Sequence, residues 1–292
     1  MGAPIELTNW QKANVASLRA ISFRASDIKD VVIFSVVRDL DMFHRCVSAN
    51  PNNKDCAIYF FDNRDVNERV PVVYNRFLDA YDYSTASWFV LCHEDFEFLE
   101  PIGEILDDID TDSIYGPIGG RLAPKFQWLL GGLWRGELKG EIIESAKDGS
   151  GLKRVGDCSP TGTVVDAVDC QCIVVHSDLV RRCHLRFDEN LSFDLYAEDF
   201  CFGAYVNHMI LTRILAIKCH HHSQGCLLPR FFSQKEYLDS KYYSAEFQGV
   251  VGYTIGGGRT PFRRLQKRLR RVMDEKCPWL VKLVFRMLPK SM

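Results

Sequence analysis

Trp88-Phe89-Val90-Leu91-Cys92-His93-Glu94-Asp95 is the stretch that decides the fold. Five apolar residues in an unbroken run suit a strand buried on both faces. The run ends in an imidazole and two carboxylates, and a carboxylate leaving a buried strand is costly unless it meets water, a partner or a cation. Two similar runs lie upstream, at Val31 to Val37 and at Ala57 to Phe61, the second closed by Asp62-Asn63. Between them, Leu40 to Val47 has room for a short helix. Val66, Val70, Val73, Tyr74, Phe77, Leu78 and Tyr81 recur at helical spacing, with Pro71 at a first-turn position. Pro101 opens another helix, with Ile102, Ile105, Leu106 and Ile109 on one face. This β-α-β-α-β-α order predicts an α/β domain around a mostly parallel, doubly wound sheet.

Downstream, residues 116–165 are rich in Gly and read as a long excursion with little regular structure. Strand character returns at Cys170 to Val175, a helix is expected over Ala197 to Met209, and a last strand over Leu211 to Ile217 leads into Cys219-His220-His221-His222. The resulting division is a lead-in over 1–29, a main domain over 30–255, and a basic tail from Gly256-Gly257-Gly258 to residue 292.

The whole chain sets the outer bounds. Its 292 residues are enough for one large α/β domain or two small ones, and 47% hydrophobic with 25% charged residues is ordinary for a soluble globular protein. The net charge of −2 hides an asymmetry: from Arg259 to Met292 there are 11 Lys or Arg against 2 Asp or Glu. An acidic body with a basic tail makes nucleic acid a poor partner. The 11 cysteines are scattered, several inside apolar runs, and Cys170 and Cys172 have no second pair at zinc-finger spacing. That usage fits reduced thiols. With no apolar core of signal-peptide length and no run of about 18 apolar residues, the expectation is a cytoplasmic protein without a spanning helix.

Asp62, His93-Glu94-Asp95 and the triplet His220-His221-His222 each follow a strand expected to share one sheet, and ligands of open parallel sheets sit beyond the carboxyl ends of the strands. His93-Glu94-Asp95 either binds a divalent cation or is a solvated strand end capping the next helix. In an extended triplet His220 and His222 point one way and His221 the other, so the triplet either completes a metal or phosphate site or forms an exposed polar turn. Glu198 and Asp199 open a helix; simple capping at the positive dipole end competes with a role for Asp199 as general base.

The order of these features is similar to glycosyltransferase family 2: strand, strand ending in Asp62-Asn63, Tyr74-Asn75-Arg76, strand ending in His93-Glu94-Asp95, Phe187-Asp188-Glu189-Asn190, Ala197-Glu198-Asp199 and a late His-His-Ser. More narrowly it resembles the divergent members in which His-x-Asp stands where most carry Asp-x-Asp. The similarity covers roughly residues 30–225. It implies a GT-A type fold and a nucleotide-sugar donor. Asp62 would touch the nucleotide base, with Asn75, Arg76 and Glu94 on the donor side. Asp95 would be the retained metal-binding acid, holding Mn²⁺ or Mg²⁺ with His93 and with His222 or His220. Asp199, beside Glu198, would take a proton from the acceptor hydroxyl, with inversion at the anomeric carbon. Trp128 and Trp134 would stack on an acceptor sugar or anchor their loop.

In the tail, Phe262, Leu265, Leu269 and Val272 share a helical face amid arginines, and Trp279 to Leu288 adds a second apolar cluster. Residues 259–292 therefore read either as a basic amphipathic helical contact with an anionic membrane, serving a glycan or lipid-linked acceptor at the inner face, or as a helix packed on the domain. Two further readings of the whole stay open. One is a metal-dependent hydrolase using His93, Asp95 and His220–His222; the other is an inactive relic that only binds a glycan or partner.

Overall fold

The computed structural model describes residues 31–84, 86–122, 136–145, 151–222 and 228–258. The expected acceptor residues Trp128 and Trp134, and the basic tail from residue 259, lie outside them. The chain begins with β1 (Val31–Val37), β2 (Ala57–Asp62) and β3 (Trp88–Cys92). β4 (Phe96–Phe98) follows directly on the acidic cluster. Next come β5 (Ser113–Gly116), β6 (Ile118–Arg121), β7 (Glu137–Ser145) and β8 (Leu152–Gly156). Two short strands, β9 (Val164–Val165) and β10 (Ala167–Val168), precede β11 (Cys172–His176). β12 (Leu211–Ile214), β13 (Cys219–His221) and the hairpin β14 (Glu246–Gln248) and β15 (Thr254–Gly256) complete the strands.

One sheet runs in the order β2-β1-β3-β11-β5-β12-β9 and a second in the order β10-β6-β7-β13-β4. The first is mixed rather than mostly parallel. β1–β2, β1–β3 and β5–β12 are parallel, whereas β11 runs antiparallel to both β3 and β5, and β9 antiparallel to β12. β11 causes the difference. It is reached through the run of strands β6 to β10 rather than through one crossover helix, so nothing holds it to the parallel direction.

The described residues of 116–165 are not the irregular excursion expected. They hold β6 to β9, and β7 is the longest strand among the described residues. Its burial is partial, with only Gly140 and Ile142 fully buried, so its sequence lacks the apolar run that marks the central strands.

Period-two alternation divides the central strands between two cores. Val32 and Phe34 of β1, Phe89 and Leu91 of β3, and Ile173 and Val175 of β11 pack on one face. Val31, Ile33 and Val37, Val90 and Cys92, and Cys172 and Val174 pack on the other. The first core is closed by the helices Val70–Ala80 and Tyr196–His208. Pro71 sits in the first turn of the former, where the missing N–H costs nothing. The helix expected after β1 begins as Leu40–Phe43 and continues as a π-helical turn, His44–Ser48. A helix at Pro229–Lys241 escapes sequence patterning because it buries only Phe231, Gln234 and Leu238. No described helix is long and apolar enough to cross a membrane, and the nine described cysteines are all unpaired.

Candidate metal centre and the carboxylates around it

β1, β2 and β3 are parallel, so Arg38, Asn63 and His93 leave the sheet at the same edge. His93 keeps the parity of Phe89 and Leu91 and so turns toward the Tyr196–His208 helix. Its backbone N–H donates to the Gln171 carbonyl at 3.0 Å, extending the β3–β11 ladder by one step. β4 turns back at once and pairs antiparallel with β13, placing His221 opposite Phe96. The His222 N–H donates to the Asp95 carbonyl at 3.0 Å and locks this register.

Donor atoms of His93, Asp95 and His221 thereby come within 4.8 Å of one another. His221 Nε2 is 3.3 Å from Asp95 Oδ1, and both side chains are largely buried. Two imidazoles and a carboxylate suit a transition-metal cation of the Mn²⁺ or Zn²⁺ type better than an all-oxygen Mg²⁺ site. The residues present therefore fit a divalent cation.

The tautomer of His93 follows from its neighbours. The Tyr196 hydroxyl donates to the Cys170 carbonyl at 3.0 Å and lies 3.0 Å from His93 Nε2. Its single proton is spent on the carbonyl, so His93 donates from Nε2 and keeps the lone pair on Nδ1. Burial, together with the neighbouring His221, pushes the His93 pKa down to about 4 against the pull of Asp95. Burial also opposes charge on His221, but the hydrogen bond and charge of Asp95 outweigh it and its pKa is raised. Phe193 stacks on the His93 ring at 5.3 Å.

Asp169, in the turn before β11, was not singled out from the sequence. Its charge acts on His93, His221, Tyr196 and Glu198, so it stands near both the histidine cluster and Glu198. Its only sequence signal is a charge inside Val168-Asp169-Cys170-Gln171-Cys172, between two apolar stretches.

Several expected site residues are elsewhere. His220 and His222 project from the other face of β13, as the parity of the triplet requires. His222 Nε2 is 2.7 Å from Glu97 Oε2 and His220 Nε2 is 2.9 Å from Ser145 Oγ. The triplet member beside His93 and Asp95 is His221. Glu94 turns back to accept the backbone N–H groups of Arg38 and Asp39, the latter at 3.1 Å, and so pins the end of β1 to that of β3. Asn75 is buried and holds both backbone groups of Phe187, accepting from its N–H and donating to its carbonyl, each at 2.9 Å. It is spent on the loop rather than turned to a ligand. Arg76 pairs with Glu68 at 3.2 Å on the surface. Asp62 is gripped by Arg64 at 2.6 Å, whose hydrogen bond holds the carboxyl below its usual range. On β2 it stands two strands from β3, about 10 Å away.

Glu198 and Asp199 diverge because successive helix residues differ by about 100°. The helix is entered through Leu195, a non-glycine residue in the left-handed region at φ 61°, a conformation that costs about 1 kcal/mol or more. Asp199 is 3% exposed, lies 2.8 Å from Lys241 Nζ and accepts from the Tyr242 hydroxyl at 2.8 Å. Lys241 also reaches Asp188 at 2.6 Å. These groups line a cavity of about 450 Å³ with His184, Arg186 and His208, and the cavity includes no member of the histidine cluster. Both Asp199 oxygens are committed to this ion-pair cluster, against its expected role as base. Glu198 is 4% exposed and accepts from the Val250 backbone N–H. Burial first, then Asp169 and Asp194, pushes its pKa up to about 8.

No protein-family model and no curated protein sequence matches this chain. Among solved structures it is similar to the crystal structure of GalNAc-T7 with UDP, GalNAc and Mn²⁺, at 8% identity and a TM-score of 0.44. The likeness covers 82% of this chain and 58% of that one, so the chain spans less than two thirds of the neighbour's length. At this distance no residue role is carried across.

Proposed function

We propose that this chain is a glycosyltransferase of GT-A type that moves a sugar from a nucleotide-sugar donor to a hydroxyl of a glycan or lipid-linked glycan, with inversion. The observation that carries the proposal is the convergence of His93, Asp95 and His221 beyond the carboxyl ends of parallel strands, together with the family resemblance of the motifs around them. His93, Asp95 and His221 would hold Mn²⁺ or a similar cation. Bound there, the cation would offset the charge that develops on a departing diphosphate. Tyr196 fixes the His93 tautomer and keeps Nδ1 available. Glu198, on the helix face turned toward Asp169, takes the acceptor-side proton in place of Asp199. With its pKa pushed up to about 8, the carboxyl takes that proton in its ionised form, so transfer should rise as pH is raised from neutrality toward 8. Asp62 remains a residue for the nucleotide base, at the far end of the same strand edge. The basic segment 259–292 is the membrane contact in this reading.

The test is release of nucleoside diphosphate from a panel of UDP- and GDP-sugars, with Mn²⁺ and a mixed glycan acceptor pool. Turnover that needs Mn²⁺ and disappears in Asp95→Asn supports the proposal. A second reading has a specific observation in its favour: two histidines and a carboxylate are also the ligand set of hydrolytic zinc sites. Zinc-dependent hydrolysis without any nucleotide would select it.

A further inference from the structure

β13 separates two clusters. On the face opposite His221, the thiol of Cys46, the carboxylate of Glu97 and the imidazole of His222 bring donor atoms within 4.8 Å of one another. His220 joins them: its Nδ1 is 3.8 Å from Glu97 Oε2, and its ring lies 3.8 Å from that of His222. The four groups come from three elements. Glu97 is on β4, His220 and His222 are at the end of β13, and Cys46 is in the π-helical turn His44–Ser48. A π-turn inserts an extra residue into a helical turn, is rare, and is frequent at functional sites. Here it follows directly on the Leu40–Phe43 helix and carries the cysteine on its inner side, fully buried.

We propose that Cys46, Glu97, His220 and His222 form a second cation site, selective for Zn²⁺, distinct from the His93–Asp95–His221 centre. A thiolate with imidazole and carboxylate ligands is a borderline-soft set that favours zinc over Mn²⁺ or Mg²⁺. Tetrahedral zinc with bonds of about 2.0–2.3 Å sets its ligand atoms roughly 3.3–3.8 Å apart. The His222–Glu97 separation of 2.7 Å and the His220–Glu97 separation of 3.8 Å lie either side of that range, and the Cys46, Glu97 and His222 donor atoms already stand within 4.8 Å of one another, with His220 at the edge of the group. Glu97 and His222 stay partly exposed, at 30% and 19% of their side chains, and give an entry path. The role is structural. Zinc would clamp β13 to β4 and to the turn after β1, holding the strand whose opposite face presents His221.

The experiment uses the full chain, stripped with a chelator and titrated first with Co²⁺ and then with Zn²⁺. Thiolate-to-cobalt charge-transfer absorption in the near ultraviolet should appear with Co²⁺ and vanish as Zn²⁺ displaces it. It should persist in Asp95→Asn and in Cys158→Ser, which alters an exposed cysteine, and be absent in Cys46→Ser. Absorption that survives in a folded Cys46→Ser protein, or fails to form in the parent chain, overturns the proposal. Should Cys46→Ser not fold, Glu97→Gln and His222→Gln decide. Each should weaken Zn²⁺ binding by about 100-fold or more, beyond the 10–100-fold typical of outer-shell changes. Unchanged zinc affinity in both overturns the proposal.

Discussion

Tyr196 Oη lies 3.0 Å from His93 Nε2 and donates to the Cys170 carbonyl, so the hydroxyl dictates which nitrogen of His93 carries the proton. Tyr196→Phe removes that partner without opening the core around the ring. Isothermal titration with Mn²⁺ should show affinity reduced by about 10–100-fold, alongside a stability loss of about 1–3 kcal/mol from the Cys170 carbonyl and His93 N–H left without their partner. Unaltered affinity would mean that the tautomer is set elsewhere.

The parity of the histidine triplet gives a sharper contrast. His221→Ala should abolish Mn²⁺-induced stabilisation in a thermal-shift experiment, because one of three ligands is lost. His220→Ala and His222→Ala should leave Mn²⁺ stabilisation in place. Equal effects of all three substitutions would place the Mn²⁺ site on the wrong face of β13.

Glu198 makes stability depend on pH in a predictable direction. Its folded pKa of about 8 lies above the ordinary glutamate value, so the folded state binds the extra proton. The stabilising contribution is complete below about pH 4 and is lost as pH rises through 8. Glu198→Gln mimics the protonated form. Measured by urea unfolding, it should gain on the parent by a few kcal/mol between pH 5 and 9. A constant difference across that window would show that the carboxyl is not desolvated as described.

Asn75→Ala should leave both backbone groups of Phe187 without their side-chain partner. The cost is about 2–3 kcal/mol in urea unfolding, with nucleotide and Mn²⁺ affinities unchanged. A selective loss of nucleotide affinity at full stability would restore Asn75 to the donor side.

Much of the fold was legible because buried strands announce themselves. The apolar runs of β1, β2 and β3 and the helical spacing around Tyr74 and Phe77 predict the elements observed, and the strand edge carrying His93 and Asp95 follows from their order. The direction of β11 was not legible, since its apolar residues look the same in either orientation. β7 was hidden by its half-solvated faces. In the candidate site, the alternation of His220, His221 and His222 was readable, but which side meets His93 depends on the pairing of β13 with β4, and β4 is only three residues long. Glu198 and Asp199 are adjacent letters whose 100° separation matters only once Lys241 and Tyr242 are in place. Asp169 had no flanking pattern to distinguish it from a turn residue.

The most direct measurement of the central claim is the affinity of the intact chain for nucleoside diphosphates by titration calorimetry, with and without Mn²⁺. The account predicts that at least one of UDP and GDP binds only with Mn²⁺, and that Asp95→Asn and His221→Ala abolish this binding while leaving the fold intact. Nucleotide binding that is indifferent to Mn²⁺ and to both substitutions, or no nucleotide binding beside tight Zn²⁺ binding at His93, Asp95 and His221, would contradict it.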